Sequence, residues 1–227
     1  MKKCKMQRLM DILLSGFAII IFSPLLIAII IILKFTGEGE VFYKQIRIGR
    51  NLREFSVLKF ATMLRNSPNI GPGTITLKND PRILPVGKFL RKTKLNEIPQ
   101  LINVLIGDMS LIGPRPQTSR CFYAFDTQTQ QMIATVRPGL SGIGSIVFRD
   151  EELMLGNVDN SLQFYDGTIA PYKGSLERWY VQNKNFKVYL LLIFFTVECV
   201  ITSRSHLLWR LFPDLPTPPK ELSRYLS

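Results

Sequence analysis

The chain has 227 residues, enough to bury one sizeable core, or one core plus a membrane element. Its 29 lysines and arginines against 17 aspartates and glutamates give a net charge of +12, which suits nucleic acid, anionic lipid headgroups or phosphorylated substrates. The 3 separated cysteines indicate reduced cytosolic thiols rather than a disulfide framework or a zinc site. The single histidine, His206, excludes a His-rich metal site and is interpreted as a surface or interface residue. Catalysis is therefore expected to use carboxylates, basic residues and a hard, oxygen-liganded metal.

The segment from Ile12 to Leu33 carries no charge and, at about 33 Å as a straight helix, could cross a hydrocarbon core of about 30 Å. Ser23-Pro24 lies at its centre, and because proline removes a helical hydrogen bond, two arms of about 15 Å remain, each too short to cross. Positive residues flank both ends, as expected if both ends face the same side. The residues by themselves leave a re-entrant helix and a kinked span both open.

Three other features concern the membrane and the chain ends. Asp11 is expected to pair with Arg8 at the headgroup level, or to be a solvated boundary charge. The apolar stretch Val188 to Ile201 is too short for a span, and both core packing and membrane-surface contact remain open for it. The tail from Pro213 is predicted to be extended and mobile.

Between these segments, short alternating patterns predict a β-hairpin, with strands around Val41–Tyr43 and Glu54–Lys59 and a turn at Gly49–Asn51. Ser67 to Gly73 is predicted to be a loop, and Asn79 opens a stretch that leads into basic residues. The spacing of Gly139, Gly142 and Gly144 excludes a dinucleotide-binding fingerprint. Residues 41 to about 180 are predicted to form one domain.

The most informative stretch is Lys92–Pro116, KTKLNEIPQLINVLIGDMSLIGPRP. Its apolar residues recur at helical spacing, with Thr93 as the expected N-cap and Gly107 as the expected C-terminal glycine. A dense basic run between Arg82 and Lys94 is predicted to end at this helix start, where backbone N–H groups attract phosphate. Arg91 can hold a phosphate through two parallel hydrogen bonds, and the prolines around Arg115 would hold its guanidinium on a stiff backbone. The stretch predicts a phosphate-handling site.

This stretch, together with Val136–Gly142 (VRPGLSG) and Lys59–Met63 (KFATM), closely resembles the bacterial sugar transferases, the monotopic polyprenyl-phosphate phosphoglycosyl transferases. The resemblance implies a helix-rich α+β fold: a small cytosolic catalytic domain anchored by an N-terminal re-entrant helix, broken at Ser23 and Pro24. It also implies the bacterial inner membrane as the location. The predicted divisions are a membrane helix at 1–36, a catalytic domain at 37–185 and a C-terminal apolar or interfacial helix and tail at 186–227.

The resemblance further implies the reaction. A phosphosugar from a nucleotide-diphosphate sugar, with a UDP-sugar expected, would pass to polyprenyl (undecaprenyl) phosphate with Mg²⁺, releasing UMP and starting a lipid-linked glycan. Residues at the family's motif positions are the catalytic pair Asn96 and Glu97, the phosphate- or substrate-binding Arg91, Arg115, Lys59 and Arg137, and the metal ligands Glu97 and Asp108.

One position departs from the family, because Asn96 stands where the family has its nucleophilic aspartate. Three hypotheses follow: Glu97 is the nucleophile, the lipid phosphate attacks directly while Glu97 holds Mg²⁺, or this copy is silent and serves as a membrane scaffold or lipid-phosphate-binding module. A membrane-tethered nucleic-acid-binding protein is a rival suggested by charge alone, and without a nucleic-acid motif no nucleic-acid partner is expected. A homo-oligomer stays open, as do the sugar and the pathway.

Overall fold

The computed structural model describes residues 2–70, 80–202 and 207–226. His206, Asn79 and the end of the predicted loop at 67–73 lie outside the described residues. The helices are α1 (Lys2–Lys34), α2 (Pro85–Lys92), α3 (Gln100–Ile106), α4 (Ser119–Tyr123), α5 (Thr127–Ile133), α6 (Ile143–Val147), α7 (Glu151–Leu155), α8 (Ser161–Phe164), α9 (Ala170–Asn183), α10 (Phe186–Thr202), α11 (Leu207–Leu211) and α12 (Lys220–Leu226). The strands are β1 (Phe42–Ile48), β2 (Glu54–Phe60), β3 (Ser110–Ile112) and β4 (Gly139–Ser141). This composition confirms a helix-rich α+β fold.

Helix α1 continues through Pro24, so the predicted break at Ser23-Pro24 does not interrupt the helix. The proline has no N–H to donate to the carbonyl oxygen of Ile20, four residues earlier. The Ser23 hydroxyl donates to that oxygen instead, at 2.7 Å. The side chain thus satisfies the backbone group that proline would leave unpaired.

Among the described residues, the part of α1 from Lys5 to Lys34 is the one helix long and apolar enough to cross a membrane, by its length and composition. Only 11% of its most apolar window is buried within the protein, so it is not an ordinary core helix. Phe17, Ile20 and Ile27 are among its widely exposed apolar side chains. Exposed apolar surface of this extent is typical of a membrane-interacting segment.

The first turns of α1 dock on the domain that follows. Arg8 donates to the carbonyl oxygens of Val104 and Leu105 at 2.6 and 2.7 Å, at the end of α3. Asp11 is 1% exposed and accepts a hydrogen bond from the backbone N–H of Leu111 at 2.9 Å. The expected pairing of Asp11 with Arg8 is therefore wrong: each side chain satisfies buried backbone groups of the domain instead.

The far end of α1 also contacts this domain. Ile29 and Leu33 form a small buried cluster with Phe60 of β2 and Leu90 of α2. Leu33 is only 2% exposed, although it lies at the end of an otherwise exposed apolar helix. Both ends of α1 thus lie against the same domain.

The predicted hairpin is confirmed, since β1 and β2 pair antiparallel with Phe42 opposite Phe60 and Ile48 opposite Glu54. Asn51 has a left-handed backbone (φ 58°) in the connecting turn, a conformation that asparagine tolerates better than most residues. The side chain of Asn103 in α3 accepts from Leu58 N at 3.0 Å and donates to Ser56 O at 2.8 Å. The helix of the signature stretch is therefore fixed to the hairpin.

A second, parallel sheet pairs Ser110 with Gly139 and Ile112 with Ser141. Glycines in and after β4 allow its backbone to pack closely against the segment that follows β3. A Cβ on Gly139 would lie 2.1 Å from the nitrogen of Gly113, and one on Gly142 would lie 2.1 Å from the Gly113 oxygen. The glycines after Arg137-Pro138 are thus explained by close packing against the segment that leads to Arg115.

The main hydrophobic core extends across the predicted boundary at residue 185. In α10, Tyr189, Leu192 and Phe195 are buried in this core, whereas Phe194 and Val197 are more than half exposed. The helix therefore combines core packing with an exposed apolar face.

The expectation of a mobile tail from Pro213 is wrong. Helix α12 forms, and Leu215, Leu222 and Leu226 are buried in the same core.

Candidate active site

Glu97 lies at the end of a short 3₁₀ turn, Leu95–Glu97, that precedes α3. The turn follows Lys94, which has a left-handed backbone (φ 59°), so the chain reverses sharply after α2. Thr93 is not the N-cap of the signature helix; it caps the end of α2, and its hydroxyl donates to Phe89 O at 2.8 Å. The prediction for Gly107 is confirmed, since it ends α3 with a φ of 99°.

The Glu97 carboxylate accepts a hydrogen bond from the Arg115 guanidinium at 2.8 Å, and both side chains are only partly exposed. Burial alone would raise the pKa of Glu97, but the charges of Arg115 and Lys59 outweigh it and hold that pKa well below its usual range. The charge of Glu97 in turn raises the pKa of Arg115. At neutral pH the pair is an ionised carboxylate beside a permanent cation.

Two further cations lie behind this pair. Burial, reinforced by the charge of Arg47, lowers the pKa of Lys59 on β2 to about 7. Burial and the neighbouring Arg115 lower the pKa of Arg47 on β1 to about 10. The family resemblance predicted Lys59 as a site residue, whereas Arg47 was not among the predicted site residues. The hairpin brings it to the site, and no local motif signals that.

The Pro114-Arg115-Pro116 segment is held at each of its three residues. Gly139 N donates to Pro114 O at 2.8 Å, Arg115 N donates to Glu177 Oε1 at 3.2 Å, and Arg47 Nη1 donates to Pro116 O at 3.1 Å. Proline also restricts the backbone on either side of Arg115. The guanidinium that faces Glu97 is therefore carried on a backbone fixed from several elements.

Glu97 and Arg115 open into a cavity of about 290 Å³. Its wall includes Lys94, residues of α3, α6, α7, α9 and α10 such as Glu152, Thr196 and Cys199, and Phe148 and Arg149 from the connection between α6 and α7. Ser141 and Thr196 also line it, and their hydroxyls are hydrogen bonded at 2.8 Å. A cavity of this size with cations, carboxylates and hydroxyls suits a polar, anionic ligand.

Two buried ionisable side chains, Lys173 and Glu177, lie on the α9 side of the cavity. Lys173 is 2% exposed and its ammonium donates to Glu151 at 2.6 Å. Glu177, one turn later, is 1% exposed, and burial raises its pKa to about 7. Sequence reasoning missed these residues. Their spacing of four along a helix is the available signal, and it usually marks an exposed pair.

The basic run does not end at a helix start, as predicted, because Arg91 and Lys92 form the last turn of α2. Arg82 is 2% exposed and its Nε donates to Asp80 at 2.8 Å, a structural contact. Arg91 pairs with Glu152, which lines the cavity. Of this run, Lys94 lines the cavity and Arg91 is connected to it through that pair.

Lys59, Asn96, Asp108 and Arg137 are not among the residues that line the cavity. Asn96 is buried, and its side-chain oxygen has no hydrogen-bond partner among the described residues. Asp108 follows α3 whereas Glu97 precedes it, so the backbones of the two residues lie at opposite ends of a helix about 10 Å long. Arg137 Nε donates to Gly107 O at 2.9 Å, at that same far end of α3. The assignment of Asp108 as a second metal ligand therefore stays a prediction, for a residue that lies at the other end of α3 from Glu97.

In the described residues no group of three or more histidine, cysteine, aspartate or glutamate side chains could hold a metal ion. Mg²⁺, however, is commonly held by one or two carboxylates together with substrate phosphates and water. Glu97 fits that arrangement, since it is ionised and lines the cavity. Glu151 and Glu152 line the same cavity, and each of the three carboxylates is paired with a basic side chain, Glu97 with Arg115, Glu151 with Lys173 and Glu152 with Arg91.

The cavity wall carries an ionised carboxylate among basic side chains, which suits phosphate chemistry, and the exposed apolar helix α1 docks on the same domain. The family model described as bacterial sugar transferase matches residues 2–203. The chain belongs to this family. The resemblance based on Lys92–Pro116 is thereby confirmed.

Named relatives agree with this assignment. The exopolysaccharide production protein ExoY of Rhizobium meliloti is 33% identical over 213 residues, covering 88% of this chain and 87% of the relative. A UDP-N-acetylgalactosamine-undecaprenyl-phosphate N-acetylgalactosaminephosphotransferase of Aeromonas hydrophila is 34% identical over 200 residues, covering 86% of this chain and 44% of the relative. A UDP-glucose:undecaprenyl-phosphate glucose-1-phosphate transferase of Klebsiella pneumoniae is 38% identical over 144 residues, covering 62% and 30%. The chain spans most of the first relative and less than half of the other two.

Proposed function

We propose that this protein transfers a sugar phosphate from a nucleotide-diphosphate sugar, a UDP-sugar, to polyprenyl phosphate. The bond between the bridging oxygen and the β-phosphorus of the donor breaks, and UMP leaves. A phosphate oxygen of the polyprenyl phosphate becomes bonded to that phosphorus, which yields a polyprenyl diphosphate sugar. The names of the relatives from Aeromonas hydrophila and Klebsiella pneumoniae describe undecaprenyl-phosphate transferases of this kind.

The observation that carries the proposal is the Glu97–Arg115 pair at the cavity. In one route the ionised Glu97 attacks the β-phosphorus and UMP leaves, giving an acyl phosphate between Glu97 and the sugar phosphate; a lipid phosphate oxygen then attacks that phosphorus and releases the Glu97 carboxylate. In the other, the lipid phosphate attacks directly and Glu97 orients the donor. In both routes Arg115, which lines the cavity, offsets the charge that gathers on the phosphoryl oxygens, and Lys59 adds positive charge from outside the cavity wall. Mg²⁺ held by Glu97 would supply further neutralisation when bound.

Asn96 does not argue for a silent protein in this arrangement. Its side chain is buried and does not line the cavity, whereas the neighbouring Glu97 does. The carboxylate that the chemistry needs is thus present one residue away. We therefore favour an active enzyme with Glu97 as the essential carboxylate.

Release of UMP tests the proposal, with the purified protein, polyprenyl phosphate, Mg²⁺ and a panel of UDP-sugars. We expect one sugar to give UMP with the wild type and Glu97→Gln to reduce its release by about 10²–10³-fold. Activity with Asn96→Asp alone would instead identify a silenced enzyme. No release from any sugar by either protein would overturn the proposed reaction. Intact-mass analysis after mixing with donor alone separates the routes, since only the first gives a phosphosugar adduct.

We propose in addition that α1 is re-entrant, with both ends and the catalytic domain on the cytosolic face of the bacterial inner membrane. Both ends of α1 contact the same domain, through Arg8 and Asp11 at one end and Leu33 at the other. A span would place one of these ends on the opposite side of the membrane. Basic residues flank both ends, which fits a shared cytosolic location.

Cysteine labelling tests this topology. Lys5→Cys and Thr36→Cys, each in a protein whose native cysteines are replaced by serine, place a thiol at exposed positions at either end of α1. Both should react with an impermeant maleimide in inverted membrane vesicles and stay unlabelled in intact spheroplasts. Labelling of one end in spheroplasts would establish a span instead. A cysteine at the exposed Asp159 of the catalytic domain serves as the cytosolic reference.

A further inference from the structure

Glu177 is the most deeply buried carboxylate next to the site that the reaction, as described, does not use. It is 1% exposed, and one of its oxygens, Oε2, has no hydrogen-bond partner among the described residues. Its other oxygen accepts the backbone N–H of Arg115 at 3.2 Å. Burying a carboxylate is costly, so a deeply buried one needs a compensating role.

The hydrogen bond to Glu177 comes from the backbone N–H of Arg115, which lies between two prolines. Prolines have no N–H, so the N–H of Arg115 is the one backbone donor in the segment from Pro114 to Pro116. That donor is given to Glu177 rather than to a neighbouring strand or loop. The orientation of Arg115 is therefore tied directly to helix α9.

Helix α6 packs closely against this carboxyl group. A Cβ on Gly144 would lie 2.4 Å from Glu177 Oε1, so only glycine lets α6 approach the carboxyl group so closely. The charge of Lys173, one turn earlier on α9, lowers the pKa of Glu177 but does not offset the effect of burial. With that pKa near 7, a neutral side chain of the same shape should be tolerated at this position.

We propose that Glu177 is a positioning residue: by accepting the Arg115 N–H it fixes the guanidinium of Arg115 against Glu97. This role rests on the proposed function, in which Arg115 stabilises the transferred phosphoryl group. Glu177 touches neither donor nor lipid and acts through Arg115. A displacement of about 1 Å at a positioned group can cost about 10²-fold in rate, so the hydrogen bond matters more for turnover than for folding.

Three substitutions at position 177 distinguish the effect of a correctly placed hydrogen-bond acceptor from the effect of the negative charge. Glu177→Gln keeps the length and an accepting oxygen but loses the charge. Glu177→Asp keeps the charge but withdraws the oxygens by about 1.5 Å, one carbon–carbon bond. Glu177→Met keeps the length and removes the acceptor. If the Met variant does not fold, the Asp variant carries the test.

We expect the Gln variant to keep kcat/KM for the donor within about threefold of wild type, and the Asp and Met variants to lose about 10–100-fold. Hydrogen–deuterium exchange gives a readout independent of activity, because overlapping peptides across the two prolines isolate the Arg115 amide. That amide should exchange at the wild-type rate in the Gln variant and at least about tenfold faster in the Asp and Met variants.

Wild-type kcat/KM in the folded Asp and Met variants would overturn the proposal, as would an equal loss in all three variants. Unchanged exchange of the Arg115 amide in those two variants would overturn it as well. Failure of the proposed function looks different: the wild type would release no UMP, while the exchange of the Arg115 amide would still respond to Glu177.

Discussion

Asp11 in α1 accepts a hydrogen bond from the Tyr189 hydroxyl of α10 at 2.8 Å, across 178 positions of the chain. The same carboxylate accepts from the Ser110 hydroxyl at 3.0 Å and from the Leu111 N–H at 2.9 Å. One buried acidic side chain thus connects helix α1, the parallel sheet and helix α10. Together with the contacts of Arg8 and Leu33, this connection fixes α1 on the catalytic domain.

Loss of the Asp11 carboxylate should therefore destabilise the whole fold. Asp11→Ala leaves three buried donors without an acceptor and should cost about 2–4 kcal/mol of unfolding free energy. Tyr189→Phe removes one hydrogen bond and should cost about 1 kcal/mol. Thermal unfolding in detergent or nanodiscs measures both. An alanine variant as stable as the wild type would contradict the role assigned to Asp11.

The positions of two arginines predict a large loss of activity for one substitution and a small one for the other. Arg115→Lys should lower kcat/KM for the donor by about 10–100-fold, because lysine cannot reproduce the fixed, planar contact with Glu97. Arg137→Lys is the matched control, since Arg137 contacts Gly107 O rather than the cavity. It should lose about 1 kcal/mol of stability and little activity. Equal losses of activity in both variants would show that Arg137 has a role at the donor site.

The lowered pKa of Lys59 predicts a pH dependence. As pH rises through about 7, Lys59 in the free enzyme loses its proton and its attraction for an anionic donor, so kcat/KM should fall. Lys59→Arg keeps a positive charge far above that pH, and this decline should disappear or shift to much higher pH. Steady-state pH profiles of the two proteins provide the comparison. A decline that stays near pH 7 in the arginine variant would assign it to another group.

Two glycines give a paired test of packing at Glu177. Gly144→Ala would bring its Cβ to 2.4 Å from the Glu177 oxygen, so the carboxyl group must move. We expect a loss of about 1–3 kcal/mol in stability and a lower kcat/KM, as in Glu177→Asp. Gly167→Ala meets no atom within 4 Å and should be neutral or stabilising by up to about 1 kcal/mol. Unfolding measurements and UMP-release assays on both variants test this prediction. Equal stability and equal kcat/KM in the two variants would contradict the predicted clash.

Local sequence signals predicted several parts of the molecule correctly. Alternation and a turn predicted the hairpin of β1 and β2, and Gly107 was recognised as the end of α3. Those features depend on neighbours a few residues apart, which a sequence pattern contains. Thr93 failed as an N-cap because Lys94 adopts a left-handed backbone and the chain enters a 3₁₀ turn before α3 begins. That conformation depends on how α2 packs and is not encoded in a capping pattern.

For the site, motifs identified Glu97, Arg115 and Lys59 but not the residues that hold them. Arg47 and Glu177 are about 70 and 60 positions from the Pro114–Pro116 segment, yet both hydrogen bond to it. Asp108 was predicted from its place in the motif, and α3 lies between it and Glu97 along the chain.

The sequence by itself determined the family, the apolar N-terminal helix and the residue types available for chemistry, because motifs and hydrophobic runs are local properties of the chain. Only the tertiary structure decided which charges meet. It buried Asp11 under Tyr189 instead of leaving it beside Arg8, and it brought Glu177 behind Arg115. Burial and proximity set both the cost and the strength of a charged contact, and they exist only once distant segments have packed together.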